Sequence, residues 1–400
     1  MLDLPISIAV VAFIAAASPL LSALVNKIIK VPLIVFEIVL GIVVGPALLG
    51  WVKPTDFIET LADFGLAMLF FMAGIEMNFK AINGRPLRRA SLAWLISISG
   101  GVAAGLLIGP TIEAAIFIGI ALATTSLGTL LPILRDAGES KTVLGLAIAA
   151  VGTVGEFGPL LAISLFLSGR DFGASAVFLL IFFLITALSL WLTNKGYHGH
   201  FHRLSASTLH TSAQFGVRLM LLIVAGAVAL STVFGLDLLL GAFASGILWR
   251  VFISSADQSD AAVVETKLDA VAFGFLIPVF FINTGITFDL DALLKNWFTM
   301  AMVPIFLILL LMVRGLPNLL VAPAGSPRLD RWSMVFFSAT GLPLIVAIGV
   351  IGRDSGYLPA SSATALVGAG MLSVLLFPAL ALFQRQRGRH AGTDQSPETV

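Results

Sequence analysis

Between Thr142 and Gly169 the chain carries one ionisable side chain, Glu156. It stands about 14 residues from either end of that run, roughly 20 Å along a straight helix. A carboxylate at that depth in a bilayer costs on the order of 3 kcal/mol on insertion scales. A group kept against that cost holds something. Glu156 therefore reads as an ion- or proton-binding carboxylate and the one candidate metal ligand; the competing reading is a protonated Glu bonded to a neighbouring backbone or hydroxyl for packing alone. A second ionisable group at membrane depth is Arg314, in LLLMVRGLPNLL. It lies about 8 residues, or about 12 Å, from the near end of its apolar run. Its side chain either snorkels to the interface or turns inward and compensates Glu156 when no cation is bound.

Such groups need a membrane to be deep in, and the composition supplies one. The chain is 58% hydrophobic and 11% charged over 400 residues, with a mean hydropathy of +1.04; soluble domains carry about 25% charged residues. The expected class is an all-α polytopic membrane protein. Apolar runs of roughly 18–25 residues recur thirteen times, centred near Ala16, Gly41, Met68, Ser99, Ala123, Gly155, Phe183, Val224, Ala242, Pro278, Leu310, Pro343 and Leu372. The first has no basic residue ahead of it and carries Asp3, so it reads as a span and not as a cleaved leader. Thirteen spans put eighteen of the 23 Lys and Arg in one set of alternate loops, Lys27, Arg88, Lys195 and Arg328 among them. Only Lys53, Arg170, Lys295 and Arg353 fall in the other set. Positive charge marks the cytoplasmic side, so the N-terminus is expected outside and the C-terminus in the cytoplasm.

The chain echoes itself. FEIVLGIVVG (Phe36–Gly45) resembles GLDLLLGAFASG (Gly235–Gly246), and FFMAGIEMNF (Phe70–Phe79) resembles FFINTGITFDL (Phe280–Leu290). Both pairs lie seven spans apart, and an odd offset inverts one copy in the membrane, giving two inverted repeats of the secondary-transporter kind. The same offset pairs TTSLGTLLP (Thr124–Pro132) in span five with SATGLPLIVA (Ser338–Ala347) in span twelve. Each carries hydroxyls, then Gly and Pro, near mid-span, so each is expected to be an interrupted helix, broken near Gly128 in one copy and near Thr340 and Gly341 in the other. Crossed interrupted helices offer half-helix dipoles and free carbonyls to an ion.

Other features carry less. Glu37, Asp63, Glu76 and Asp237 sit toward span ends, where interfacial solvation suffices. His198, His200, His202 and His210 fall in a long loop with spacing poor for a metal site; a solvated loop is expected, with pH sensing as the alternative. The chain has no cysteine, which excludes disulfides and thiolate metal sites. A net charge of +1 leaves no nucleic-acid footprint. No motif brings nucleophile, base and orienter together, so no enzyme is expected, and no cofactor beyond transported ions.

The stretches FEIVLGIVVGPALLGWV (Phe36–Val52), FGLAMLFFMAGIEMNF (Phe64–Phe79), ATTSLGTLLPILRDAG (Ala123–Gly138), the Glu156 segment and FFINTGITFDLDAL (Phe280–Leu293), in this order and spacing, resemble the cation:proton antiporter-2 family, the Kef-type sodium or potassium–proton exchangers. The resemblance spans about residues 5–384. It implies scaffold helices in residues 4–80 and 214–290, a mobile core in residues 90–169 and 296–384, a linking helix at 174–194 and a short cytoplasmic tail at 385–400. It also implies a homodimer in the cell (inner) membrane, with a monovalent cation and a proton as substrates. Where the family usually has Asp-Asp or Asn-Asp, this chain has Gly155 and Glu156. Glu156 inherits the ion- and proton-carrying role, and Gly155 has no side chain to act with. Thr124, Thr125 and Ser126 match the broken segment that lends oxygens, and Arg314 a basic position of span eleven. The tail is too short for the nucleotide-binding domain many relatives carry, and it lacks G-x-G-x-x-G.

The expected mechanism is competition of H⁺ and Na⁺ or K⁺ for one carboxylate, hence electroneutral exchange. A sodium-coupled organic-anion symporter on the same plan, and a membrane sensor that no longer transports, are the alternatives.

Overall fold

In a bilayer no water meets an open backbone N–H or carbonyl, so an apolar chain crosses as helix or closed barrel. The computed structural model describes residues 4–26, 31–76, 84–166, 172–194, 214–234, 237–253 and 258–393. In chain order its helices are α1 (Leu4–Val25), α2 (Leu33–Val44), α3 (Asp56–Glu76), α4 (Arg85–Ile108), α5 (Ile112–Leu122), α6 (Leu127–Asp136), α7 (Val143–Phe166) and α8 (Phe172–Asn194). They continue as α9 (Phe215–Val233), α10 (Leu238–Ile253), α11 (Gln258–Val271), α12 (Ile277–Ile286), α13 (Leu290–Lys295), α14 (Trp297–Leu309), α15 (Arg328–Ser338), α16 (Pro343–Asp354) and α17 (Ala360–Thr393). Among the described residues, ten helical segments are long and apolar enough to cross a membrane, and three shorter apolar helices accompany them. His198, His200, His202 and His210 lie outside the described residues.

Proline shapes several spans. A π-helical turn, Ala272–Leu276, joins α11 to α12, with Pro278 just beyond it. A second, Leu310–Gly315, follows α14 and runs into a 3₁₀ turn, Leu316–Leu320, that contains Pro317. A proline donates no N–H, and changes of helical pitch re-satisfy the carbonyls it leaves open.

One compact unit comprises Met1–Ala17, Glu37–Met77 and Leu160–Ile286. Its helices meet through facing glycines. A Cβ on Gly74 of α3 would strike the Phe243 carbonyl and stand 3.1 Å from Gly246 Cα in α10, and one on Gly246 would strike the Phe71 carbonyl. Gly41 of α2 and Gly285 of α12 face each other in the same way, with a Gly285 Cβ 2.8 Å from Gly41 Cα. Small residues let backbones approach where lipid supplies no hydrophobic drive between helices. Arg250, in the last turn of α10, donates to the Ile75 carbonyl of α3. Val11, Ile14, Val44, Val52, Ile58, Val279, Ile282 and Ile286 fill this unit's packed centre.

The second unit comprises Ser18–Phe36, Asn78–Pro159 and Thr287–Val400. Helix α4 buries a stripe of small residues, Ala90, Ala93, Ser97, Gly101 and Gly105, against α5, where a Cβ on Gly101 or Gly105 would meet the carbonyls of Gly119 or Ala115. Its other face is left apolar and open; Leu107 is 89% exposed. At one end Arg385 of α17 bonds Glu139 through Nε at 2.9 Å and also pairs with Asp330 of α15. This tie joins the α6–α7 loop to α15 and α17. Leu130, Leu134, Ile148, Val151, Met334, Phe337 and Ala381 lie in the core beneath it.

Candidate functional site

Two helices stop and restart within their spans. The first is open from Ala123 to Ser126, between α5 and α6, and the second from 339 to 342, between α15 and α16. Ser126 caps α6 by accepting the Thr129 N–H, and Pro343 starts α16, where its missing N–H costs no helical bond. The two openings cross. Ser126 N–H donates to the Thr340 carbonyl at 2.9 Å, and the Thr125 hydroxyl donates to the Ser338 carbonyl at 2.5 Å. Gly341 permits the approach, because a Cβ there would stand 2.8 Å from Thr124 Oγ1. Ser373 of α17 supports the second opening: its hydroxyl accepts the Gly341 N–H at 3.2 Å and lies 3.0 Å from the Gly341 carbonyl. Two half-helix N-termini and two C-termini therefore converge, each carrying a partial charge of opposite sign.

Helix α7 brings Glu156 to this crossing. The residue before it, Gly155, accepts the Thr125 N–H through its carbonyl at 3.0 Å. Glu156 is 5% exposed. Thr124, Thr125, Ser126 and Thr340 are buried with it. The Thr124 hydroxyl donates to the Ala121 carbonyl at 2.8 Å, and the Ser126 and Thr129 hydroxyls share a bond of 2.8 Å. A hydroxyl that spends its proton this way keeps lone pairs that can accept from a proton carrier or face a cation.

Arg314 turns inward. It is wholly buried, which removes the snorkelling reading. Its Nε donates to Thr125 Oγ1 at 2.7 Å and its Nη2 to the Val151 carbonyl of α7 at 2.8 Å. Among the described residues Nη1 has no hydrogen-bond partner. Asn318 holds the π-helical turn beneath it by donating to the Arg314 carbonyl at 2.6 Å. Such turns recur at functional sites.

Of the sequence-derived set, Thr124, Thr125, Ser126, Arg314, Thr340 and Gly341 meet at one crossing, and Glu156 is buried one residue beyond Gly155, whose carbonyl is bonded into it. Gly128 does not join them. It is the second residue of α6, beyond the opening, and nothing lies within 4 Å of where its side chain would be. The capping Ser126 hydroxyl starts the half-helix before Gly128 is reached. Glu37 also departs from expectation; it is buried (2% exposed) and not interfacially solvated, because Glu37 lies within α2 and not at its solvated end. Asp237 does sit at a helix end, accepting the Leu239 N–H at 2.9 Å, and Asp63 is exposed. Sequence reasoning missed Asn318, Ser373 and Pro159. Only Pro159 left a readable signal, since it follows Gly155 by four residues and must leave that carbonyl without its helical donor.

The fold and the sequence both have relatives among known proteins. The structure resembles that of the sodium proton antiporter MjNhaP1 from Methanocaldococcus jannaschii at pH 8, with a TM-score of 0.62 and 17% identity over 98% of this chain and 99% of that one. At the sequence level the chain is 29% identical over 367 residues to the Na(+)/H(+)-K(+) antiporter GerN of Bacillus cereus, covering 87% of this chain and 88% of that protein. It is 24% identical over 391 residues to the putative Na(+)/H(+) antiporter YjbQ of Bacillus subtilis, covering 93% of this chain but only 62% of that protein's length. The family resemblance read from the sequence is borne out: the family model for the transmembrane sodium/hydrogen exchanger matches residues 10–382, and the chain belongs to that family.

Proposed function

We propose that this protein exchanges a monovalent cation, Na⁺ or K⁺, for H⁺ across the membrane by alternating access at Glu156. The observation that carries the reading is a buried carboxylate, Glu156, that directly follows Gly155, the residue of α7 bonded into the crossing of two interrupted helices. The relatives named as Na(+)/H(+) antiporters support the class of cargo.

Loaded with a proton or a cation, Glu156 is neutral; empty, it is charged and does not cross. That rule couples the two fluxes. One carboxylate carries one proton per cation, so exchange is electroneutral and a gradient of one pH unit supplies about 1.4 kcal/mol. A scheme moving net charge would draw an extra ~2.3 kcal/mol per 100 mV. Thr124, Thr125 and Ser126 lend oxygens to the ion, and Arg314 supplies a fixed compensating charge.

In this reading the chain has thirteen spans as two inverted repeats, with the N-terminus outside, the C-terminus in the cytoplasm and the protein in the cell membrane as a homodimer. The facing glycine pairs Gly41–Gly285 and Gly74–Gly246 support the repeat, because they join span two to span ten and span three to span nine. The division into two compact units, each built from both halves of the chain, supports a scaffold and a mobile core.

The test is exchange by reconstituted protein, read by fluorescence dequenching with Na⁺, K⁺ and Li⁺. Transport is expected to follow a pH gradient, to ignore a valinomycin-set potential, and to vanish in Glu156→Gln while that variant keeps its fold. Full exchange by Glu156→Gln removes the carboxylate from the mechanism; potential-dependent turnover removes the one-for-one stoichiometry. Sodium-dependent uptake of an organic anion with no proton release would favour the symporter instead.

A further inference from the structure

Pro159 lies four residues after Gly155 in α7 and has no N–H, so the Gly155 carbonyl lacks its helical partner. The Thr125 N–H of the first interrupted helix takes that place at 3.0 Å. On the side-chain side of the same residue, the Arg314 guanidinium lies where a side chain would begin. A Cβ on Gly155 would strike Arg314 Nη2 and stand 2.8 Å from Thr125 Cβ and 2.9 Å from Thr125 Oγ1. The guanidinium cannot swing aside cheaply. It is wholly buried, and moving it breaks the bonds to Val151 and Thr125 described above.

We infer that the missing side chain at position 155 is the seat of the Arg314 guanidinium, and that Gly155 is a positioning residue for exchange. At position 155 this chain uses empty space to bring a cationic group beside the residue preceding Glu156. Pro159 completes the device by leaving the Gly155 carbonyl to the interrupted segment. One residue of α7 thereby fixes both the crossing and Arg314 relative to the carboxylate. The functional part of this inference rests on the reading of Glu156 as carrier; the steric part does not.

The seat is tested by a double-mutant cycle with Gly155→Ala and Arg314→Lys, reading proteoliposome exchange and thermal unfolding in parallel. Lysine keeps the charge but has no Nη2, the atom a Cβ would strike. Gly155→Ala alone is expected to lower exchange by about tenfold or more and to lower the melting temperature. In the Arg314→Lys background, whatever activity and melting temperature that variant has by itself, the same alanine should change exchange by less than about twofold and leave the melting temperature where Arg314→Lys sets it. If Gly155→Ala does not fold, recovery of a folded protein in the Lys background supports the seat equally. A silent Gly155→Ala, or equal losses in both backgrounds, overturns the seat. Glu156→Gln run alongside separates the two claims: undiminished exchange there defeats the carrier reading, while the melting temperatures of the cycle still decide the seat.

Discussion

Thr125 shows how much one residue can carry at the crossing. Its N–H goes to Gly155, its hydroxyl proton to Ser338, and its hydroxyl oxygen receives Arg314 Nε. Replacing it with the near-isosteric valine strands a buried carbonyl and a buried guanidinium N–H, at a cost of about 1–3 kcal/mol each when unmet. Thr125→Val is therefore expected to unfold at a clearly lower temperature in detergent and to lose most exchange, whereas Thr125→Ser, which keeps the hydroxyl, stays close to the native protein. A Thr125→Val variant as stable as the native chain would dismiss the hydroxyl as a strut. At this scale the burial of Glu156 was legible in the sequence, because the cost of a charge in an apolar run depends on its depth, while the hydroxyls at 124–126 were marked by the internal repeat and the family resemblance. The direction Arg314 takes was not. A long side chain at that depth can reach the interface or the interior with similar backbone geometry, and only the acceptors on Thr125 and Val151 choose between them.

Among the elements, close helix crossings matter more than the apolar surface. A Cβ on Gly285 would strike the Ile38 carbonyl, with Gly41 Cα and Ile42 N both at 2.8 Å. Gly285→Val is thus expected to cost about 1–3 kcal/mol through overpacking, seen as an earlier melt and weaker expression. Gly128→Ala is the contrasting case. Open space surrounds that position within a helix, so alanine should leave stability unchanged or raise it by up to about 1 kcal/mol. Were Gly285→Val harmless and Gly128→Ala damaging, the placement of both α2 against α12 and the start of α6 would be wrong. The same pair shows what sequence could tell about elements. Hydroxyl, Gly and Pro together announced an interruption in spans five and twelve. The glycine itself was a poor guide to where span five opens, since the opening is set by the Ser126 cap and by bonds from the other interrupted helix.

For the molecule as a whole, the distribution of Lys and Arg makes a claim about orientation that labelling can examine. The chain has no cysteine, so single-cysteine variants can be made in the native sequence. Lys53 and Arg331 are both exposed and fall in loop sets of opposite charge content. In intact cells Lys53→Cys is expected to react with an impermeant maleimide and Arg331→Cys to react only after the membrane is opened. Labelling in the reverse order would invert the proposed topology, and equal labelling of both would break the span count.

Composition and the spacing of apolar runs were enough to establish a polytopic helical membrane protein, since uninterrupted apolar runs of roughly 20 residues fit helical spans and not the shorter strands of a barrel. The order of the motifs was enough to place it in its family, as the match over residues 10–382 shows. What only the tertiary structure decided was the set of partners of each buried polar group: the inward turn of Arg314, the use of Gly155 as space, and the tie of Arg385 to Glu139 and Asp330. The reason is physical. Burial cost is a property of a residue and its depth, readable along one chain, whereas hydrogen-bond satisfaction depends on groups more than a hundred residues apart arriving within 3 Å of one another.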